Sequence, residues 1–71
     1  VTPSQLRGVL ARNVRQQAKK RGLALNSLAD FAGVSRSQLY DMLARRKAAS
    51  IDWLAKIATA LDVPPSQLLA P

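Results

Sequence analysis

Apolar residues near the start of the chain recur at steps of three and four: Leu6, Val9, Leu10, Val14 and Ala18. That spacing lines one face of a helix, with Arg12, Arg15, Gln16 and Lys19 elsewhere on the wheel. Thr2-Pro3-Ser4-Gln5 predicts its start. Thr2 is the N-cap, Pro3 takes the first helical position, and Gln5 completes a capping box. Gly22 predicts its stop, after Lys19, Lys20 and Arg21, where cations suit the helix dipole. Gly8 weakens the first turn. A second apolar face follows in Leu25, Leu28, Ala29 and Ala32, and Gly33 ends that helix in a left-handed conformation. Ser35-Arg36-Ser37-Gln38 reads as a second capping box, with Val34 as the staple before it. The third helix then buries Leu39, Met42 and Leu43 and ends in Arg45-Arg46-Lys47. Ala48-Ala49 is a short connection. Ser50 caps a fourth helix, with Asp52 in its first turn and Ile51, Leu54, Ile57, Ala58 and Leu61 facing inward. Asp62 stands where Gly would end that helix most easily. Pro64-Pro65-Ser66 breaks the chain, and residues 65–69 predict one last helical turn. No useful stretch alternates at period two, so the expected fold class is all-α.

Composition narrows the chemistry. Seventy-one residues make one domain, and a chain this short buries only about 60% of its unfolded surface. Cys and His are both absent. That excludes a disulfide framework, Cys/His metal sites, thiol nucleophiles and imidazole bases. The only acids are four Asp, scattered at positions 30, 41, 52 and 62, so neither a metal site nor an enzyme is expected. Eleven Lys and Arg raise the net charge to +7, and the default partner for that charge is a polyanion. The basic groups are uneven. Residues 1–29 carry six and no acid, whereas residues 30–71 carry five with all four Asp. No apolar run approaches the roughly 18 residues of a membrane span, and no signal-peptide pattern opens the chain. A basic intracellular, cytoplasmic domain is expected, with no cofactor, membrane or small-molecule partner. Val1 in place of Met fits a fragment or a processed product.

The informative stretch is residues 25–44, where two short helices meet at Gly33. Ala29, four residues before that Gly, supplies the small side chain needed where the helices cross. Leu28, Val34, Leu39 and Met42 supply the shared core. This is the spacing of a helix-turn-helix. Residues from about 11 to 69 resemble the phage repressor/Cro-like (XRE-type) DNA-binding domains. The resemblance is carried by Arg21-Gly22-Leu23, Leu28-Ala29, Ala32-Gly33-Val34-Ser35-Arg36-Ser37, Leu39, Ser50 and LAKIATALDV at 54–63. It implies a five-helix bundle whose third helix enters the major groove of double-stranded DNA. It also implies a transcriptional regulator, a repressor by preference, binding a palindromic operator as a homodimer that forms either in solution or only on DNA. There are departures. Ala24 and Leu25 stand where many members have Ser-Gln; Leu25 is expected to turn inward, so that phosphate grip is lost or passes to Asn26. Phe31 and Trp53 occupy places that are usually polar, and Arg45 stands where many members have Gly.

With Leu39, Met42 and Leu43 inside, the exposed stripe of the third helix is Arg36, Ser37, Tyr40, Asp41 and Ala44. Arg36 suits guanine O6 and N7, Asp41 suits cytosine N4, and Ser37 serves as donor or acceptor. Arg36, Ser37, Tyr40 and Asp41 are therefore the candidate base contacts. Asn26, Ser35, Gln38, Arg45, Arg46 and Lys47 are the candidate phosphate contacts, and the Ser50 helix start is a further one. Plainer readings stand beside these. Arg36 can be merely solvated, Asp41 can pair with Arg45 at i,i+4, and the basic triplet can compensate a helix dipole. Tyr40 either packs on Arg36 or reaches a phosphate. The dimer contact is expected in residues 63–69, with Trp53 contributing. The alternative is that Leu68 and Leu69 cap the monomer's own core beside Leu6 and Leu10. Two rival functions remain: an antitoxin-type domain whose main partner is a protein, and a scaffold domain that kept only the helix-turn-helix shape.

Overall fold

Local capping chemistry starts the helices. A computed structural model describes all residues, Val1–Pro71, as α1 (Pro3–Lys20), α2 (Leu25–Ala32), α3 (Arg36–Leu43), α4 (Ile51–Leu61) and α5 (Pro65–Leu69). The Thr2 hydroxyl accepts from the Gln5 N–H at 3.1 Å, and the Gln5 Oε1 accepts from the Thr2 N–H at 2.8 Å, completing the predicted box. Ser35 Oγ accepts from the Gln38 N–H at 2.9 Å. The Gln38 side chain does not answer it, so the second box is half formed. Ser50 Oγ accepts from the Trp53 N–H at 3.0 Å. Ala24 has no side chain able to cap α2.

Four helices end alike. One residue turns left-handed, and the next N–H reaches back to the carbonyl five residues earlier. These bonds are Leu23 to Ala18 (2.9 Å), Val34 to Ala29 (3.1 Å), Arg46 to Asp41 (2.9 Å) and Val63 to Ala58 (3.0 Å). They close the helix and turn the chain away. The left-handed residues are Gly22, Gly33, Arg45 and Asp62, with φ of 64°, 72°, 64° and 56°. Arg45 therefore lies beyond α3. The expectation that α3 ends in Arg45-Arg46-Lys47 is corrected: it ends at Leu43, because the backbone reverses at Arg45. At Gly33 a Cβ would meet open space, so any penalty there is conformational. Gly33→Val is expected to lower stability by about 1–2 kcal/mol without disturbing neighbours. Chemical denaturation would check this, and a variant as stable as the parent would contradict the turn.

α1 packs on α5 and α3, α2 packs on α3 and α4, and α4 also meets α5. One apolar cluster joins all five. Two details differ from the pattern-based reading. Ile51 is 84% exposed, and Trp53 takes the inward place at 3%. The buried line of α4 is Trp53, Ile57, Ala58 and Leu61, which leaves Ile51 on the far side of the first turn. On α1 the buried set is Leu10, Ala11, Asn13, Val14 and Ala18, while Leu6 remains 39% exposed. Asn13 enters the core because its amide has work there. Nδ2 donates to the carbonyls of Leu68 (2.9 Å) and Ala70 (2.7 Å). These bonds tie the C-terminal turn to α1 and satisfy carbonyls that would otherwise be costly to bury. Leu68 is fully buried, and Leu69 packs partly buried on the same cluster. Trp53 and Leu68 are therefore monomer core, which corrects their assignment to a subunit contact.

Candidate nucleic-acid interface

The left-handed turn at Gly33 sets α3 across the end of α2. Leu39, Met42 and Leu43 of α3 are buried with Leu28, Ala29 and Ala32 of α2. That anchors one side of α3 and leaves Arg36, Ser37, Gln38, Tyr40 and Ala44 exposed. A short helix held on its inner side and free on its outer one is a shape that fits the major groove.

The exposed side chains are held by one another. The Arg36 guanidinium donates side-on to Asp30, from Nε to Oδ1 at 3.2 Å and from Nη2 to Oδ2 at 2.8 Å. These hydrogen bonds, with the charge of Arg36, hold the Asp30 carboxyl below its ordinary value and raise the Arg36 pKa further. The pair is therefore ionised throughout the neutral range. The Tyr40 hydroxyl donates to Asn26 Oδ1 at 2.7 Å, which places Tyr40 on α2. The Asn26 amide protons remain free to donate outward. Asp41 is half-buried, and its Oδ1 accepts from Arg46 Nε at 3.1 Å, with Nη2 3.0 Å away in the same ion pair. Lys47 Nζ lies 3.7 Å from the other oxygen. The expected i,i+4 partner Arg45 is not the one used. The chain leaves the helix after Leu43, and the left-handed Arg45 brings residues 46 and 47 back over Asp41.

Most of the expected site residues thus meet on one surface. Arg36, Tyr40, Asn26, Asp41, Arg46 and Lys47 form three coupled groups along α2, α3 and the following loop. Ser37 and Gln38 are exposed beside them. Ser35 Oγ accepts as a cap, and its hydroxyl proton remains available. Arg45 departs from the group. Its guanidinium lies over α1, where a Cβ on Gly8 would sit 3.1 Å from Arg45 Cζ, the far end of an exposed side chain. Asp30 had not been singled out for this surface. Its signal in the sequence was faint, because it meets Arg36 across a turn, six residues away, rather than at a helical spacing.

Fold and surface together define a helix-turn-helix domain. The chain belongs to the HTH_3 helix-turn-helix family, whose model matches residues 14–68. It is 34% identical over 62 residues to the HTH-type transcriptional regulator SutR of Escherichia coli (strain K12), a match covering 87% of this chain and 35% of SutR. The chain therefore spans about a third of that relative's length. Among solved structures it resembles the hypothetical transcription factor NHTF from Neisseria, at 32% identity and a TM-score of 0.89, over 100% of this chain and 83% of that one. It also resembles SinR, the master regulator for biofilm formation, in complex with DNA. That match has 32% identity and a TM-score of 0.81 over 86% of this chain and 98% of that one.

Proposed function

We propose that this domain binds double-stranded DNA sequence-specifically, as the DNA-binding part of a transcription regulator. The observation that carries the reading is the exposed outer face of α3, with its side chains held in place by α2 and by the basic loop after α3. The SinR relative, solved in complex with DNA, supports the same use of the fold. In this reading α3 lies in the major groove. Arg36, Ser37 and Tyr40 face base edges, and Asp41 reaches one only by releasing Arg46 and Lys47, while Asn26, Ser35, Gln38, Arg46 and Lys47 hold phosphates. Arg45 starts over Gly8 and reaches a phosphate only by leaving α1. Residues 1–71 act as one domain and work in the cytoplasm, on the nucleoid. No catalytic step is proposed.

One recognition helix reads few base pairs, too few to pick a site among the roughly 10⁶ or more competitors in a genome. Two copies on a palindromic operator, repressing by occupancy, meet that need. With Leu68 and Trp53 inside the monomer, the contact falls to the apolar surface still free: Leu69, with Leu6 and Ile51 beside it. A protein as the main partner, antitoxin-style, is the second reading. Phe31, 74% exposed in a groove between α2 and α4, favours it.

Phosphate contacts act on every sequence alike. Arg46→Ala or Lys47→Ala is therefore expected to weaken specific and non-specific binding together, and to flatten the salt slope by about one unit. Fluorescence anisotropy across a salt series would check this. Lost specificity with an unchanged slope would contradict the phosphate role.

A further inference from the structure

We infer that Asp30 is a positioning residue that presents Arg36 to a guanine. The inference rests on the DNA-binding reading above and adds to it a residue from outside the recognition helix. A guanidinium carries five N–H donors in a fixed planar fork. Asp30 takes the side edge, Nε and Nη2, with both of its oxygens. The end edge remains: one proton of Nη1 and the second proton of Nη2, parallel and unused. That free pair matches the O6 and N7 acceptors of guanine in the major groove. The carboxylate thus leaves the guanidinium one bidentate edge and fixes the plane in which that edge points.

The backbone explains why Asp30 can do this. It lies near the end of α2, and Arg36 is the first residue of α3. The left-handed Gly33 between them folds the two helix ends together. Both side chains are more than half exposed, at 58% and 57%, so the pair stands at the surface where a base edge would arrive. An unanchored Arg would sample many rotamers and lose that freedom on binding. An anchored one has lost it beforehand. A carboxylate also repels phosphates, so Asp30 lowers affinity for DNA in general while raising it for one base. It works as a specificity device on both counts.

Asp30→Ala and Asp30→Asn test this, with Asp62→Asn as a control. Asp62 is exposed and left-handed, and Asn tolerates that conformation. The control removes the same charge without touching Arg36. Binding would be measured on the duplex best selected by the parent, on the same duplex with the Arg36-linked guanine replaced, and on random duplex. Both Asp30 variants are expected to lose about tenfold on the selected site. Their preference at that one base should shrink, and their affinity for random duplex should hold or rise. Combining Asp30→Ala with Arg36→Ala should cost no more than Arg36→Ala alone. Asp62→Asn should leave the base preference unchanged. Asp30 variants that keep the parent's preference overturn the positioning role and leave DNA binding standing. A parent that selects no duplex sequence overturns both.

Discussion

Arg36→Ala is expected to reduce affinity for the preferred site on the order of ten- to a hundredfold, and to relax the preference at a single base pair. The position explains both effects. Arg36 opens α3, its side chain is exposed, and Asp30 holds it by two hydrogen bonds. Truncation removes a bidentate contact to one base and leaves the other contacts in place. Asp30 is left beside the groove without its partner, adding repulsion. The sign of the pH dependence follows from the carboxyl, which Arg36 holds below its ordinary value. Its interaction is fully present above the ordinary carboxylate range and is lost only as pH falls through the lowered value. The contrast between parent and variant is therefore complete at neutral pH. Site selection repeated with the variant would check the result, and an unchanged motif would contradict the assignment.

Leu68→Ala is expected to cost about 2–5 kcal/mol, a large share of the 5–15 kcal/mol typical of a whole domain. Leu68 is fully buried, and its carbonyl accepts from the buried Asn13 amide. Shortening the side chain opens a cavity between α5 and α1, where the helices have little room to close over it. In a domain this small each kcal/mol moves the melting temperature by about 4–8 °C, so the loss is readily measured. The test also separates two roles for the C-terminal turn. As monomer core, Leu68 sets a melting temperature that does not depend on protein concentration. As a subunit contact, it would give a melting temperature that rises with concentration and a stable, monomeric variant.

Helix starts were legible because capping is local: Thr2, Ser35 and Ser50 each bond an N–H three residues on. The turn at Gly33 was legible because only glycine adopts a left-handed backbone without penalty. The end of α3 was not, since Arg45 takes the same conformation with a side chain attached and residue type carries no warning. The pairing of Asp41 followed that error, because Arg46 and Lys47 reach it only after the reversal. Trp53 and Ile51 exchanged places for another reason. Both are apolar and two positions apart, and the direction of the core from α4 depends on α2 and α5. Asn13 was hidden by its polarity, as its carbonyl partners lie 55 and 57 residues away. The exposed stripe of α3, Arg36, Ser37, Tyr40 and Ala44, was legible from periodicity once Leu39, Met42 and Leu43 were placed inside. Asp30 was not, since its contact needs the crossing of two helices.

The most direct measurement is selection of bound sites from a pool of random duplex DNA at physiological salt. Sequence-specific binding through α3 predicts enrichment of one short motif. A guanine should stand at the position that Arg36→Ala relaxes, and the motif should repeat with two-fold symmetry at half-sites about 10 bp apart. Recovery of the pool unchanged, with equal affinity for every duplex, would contradict it.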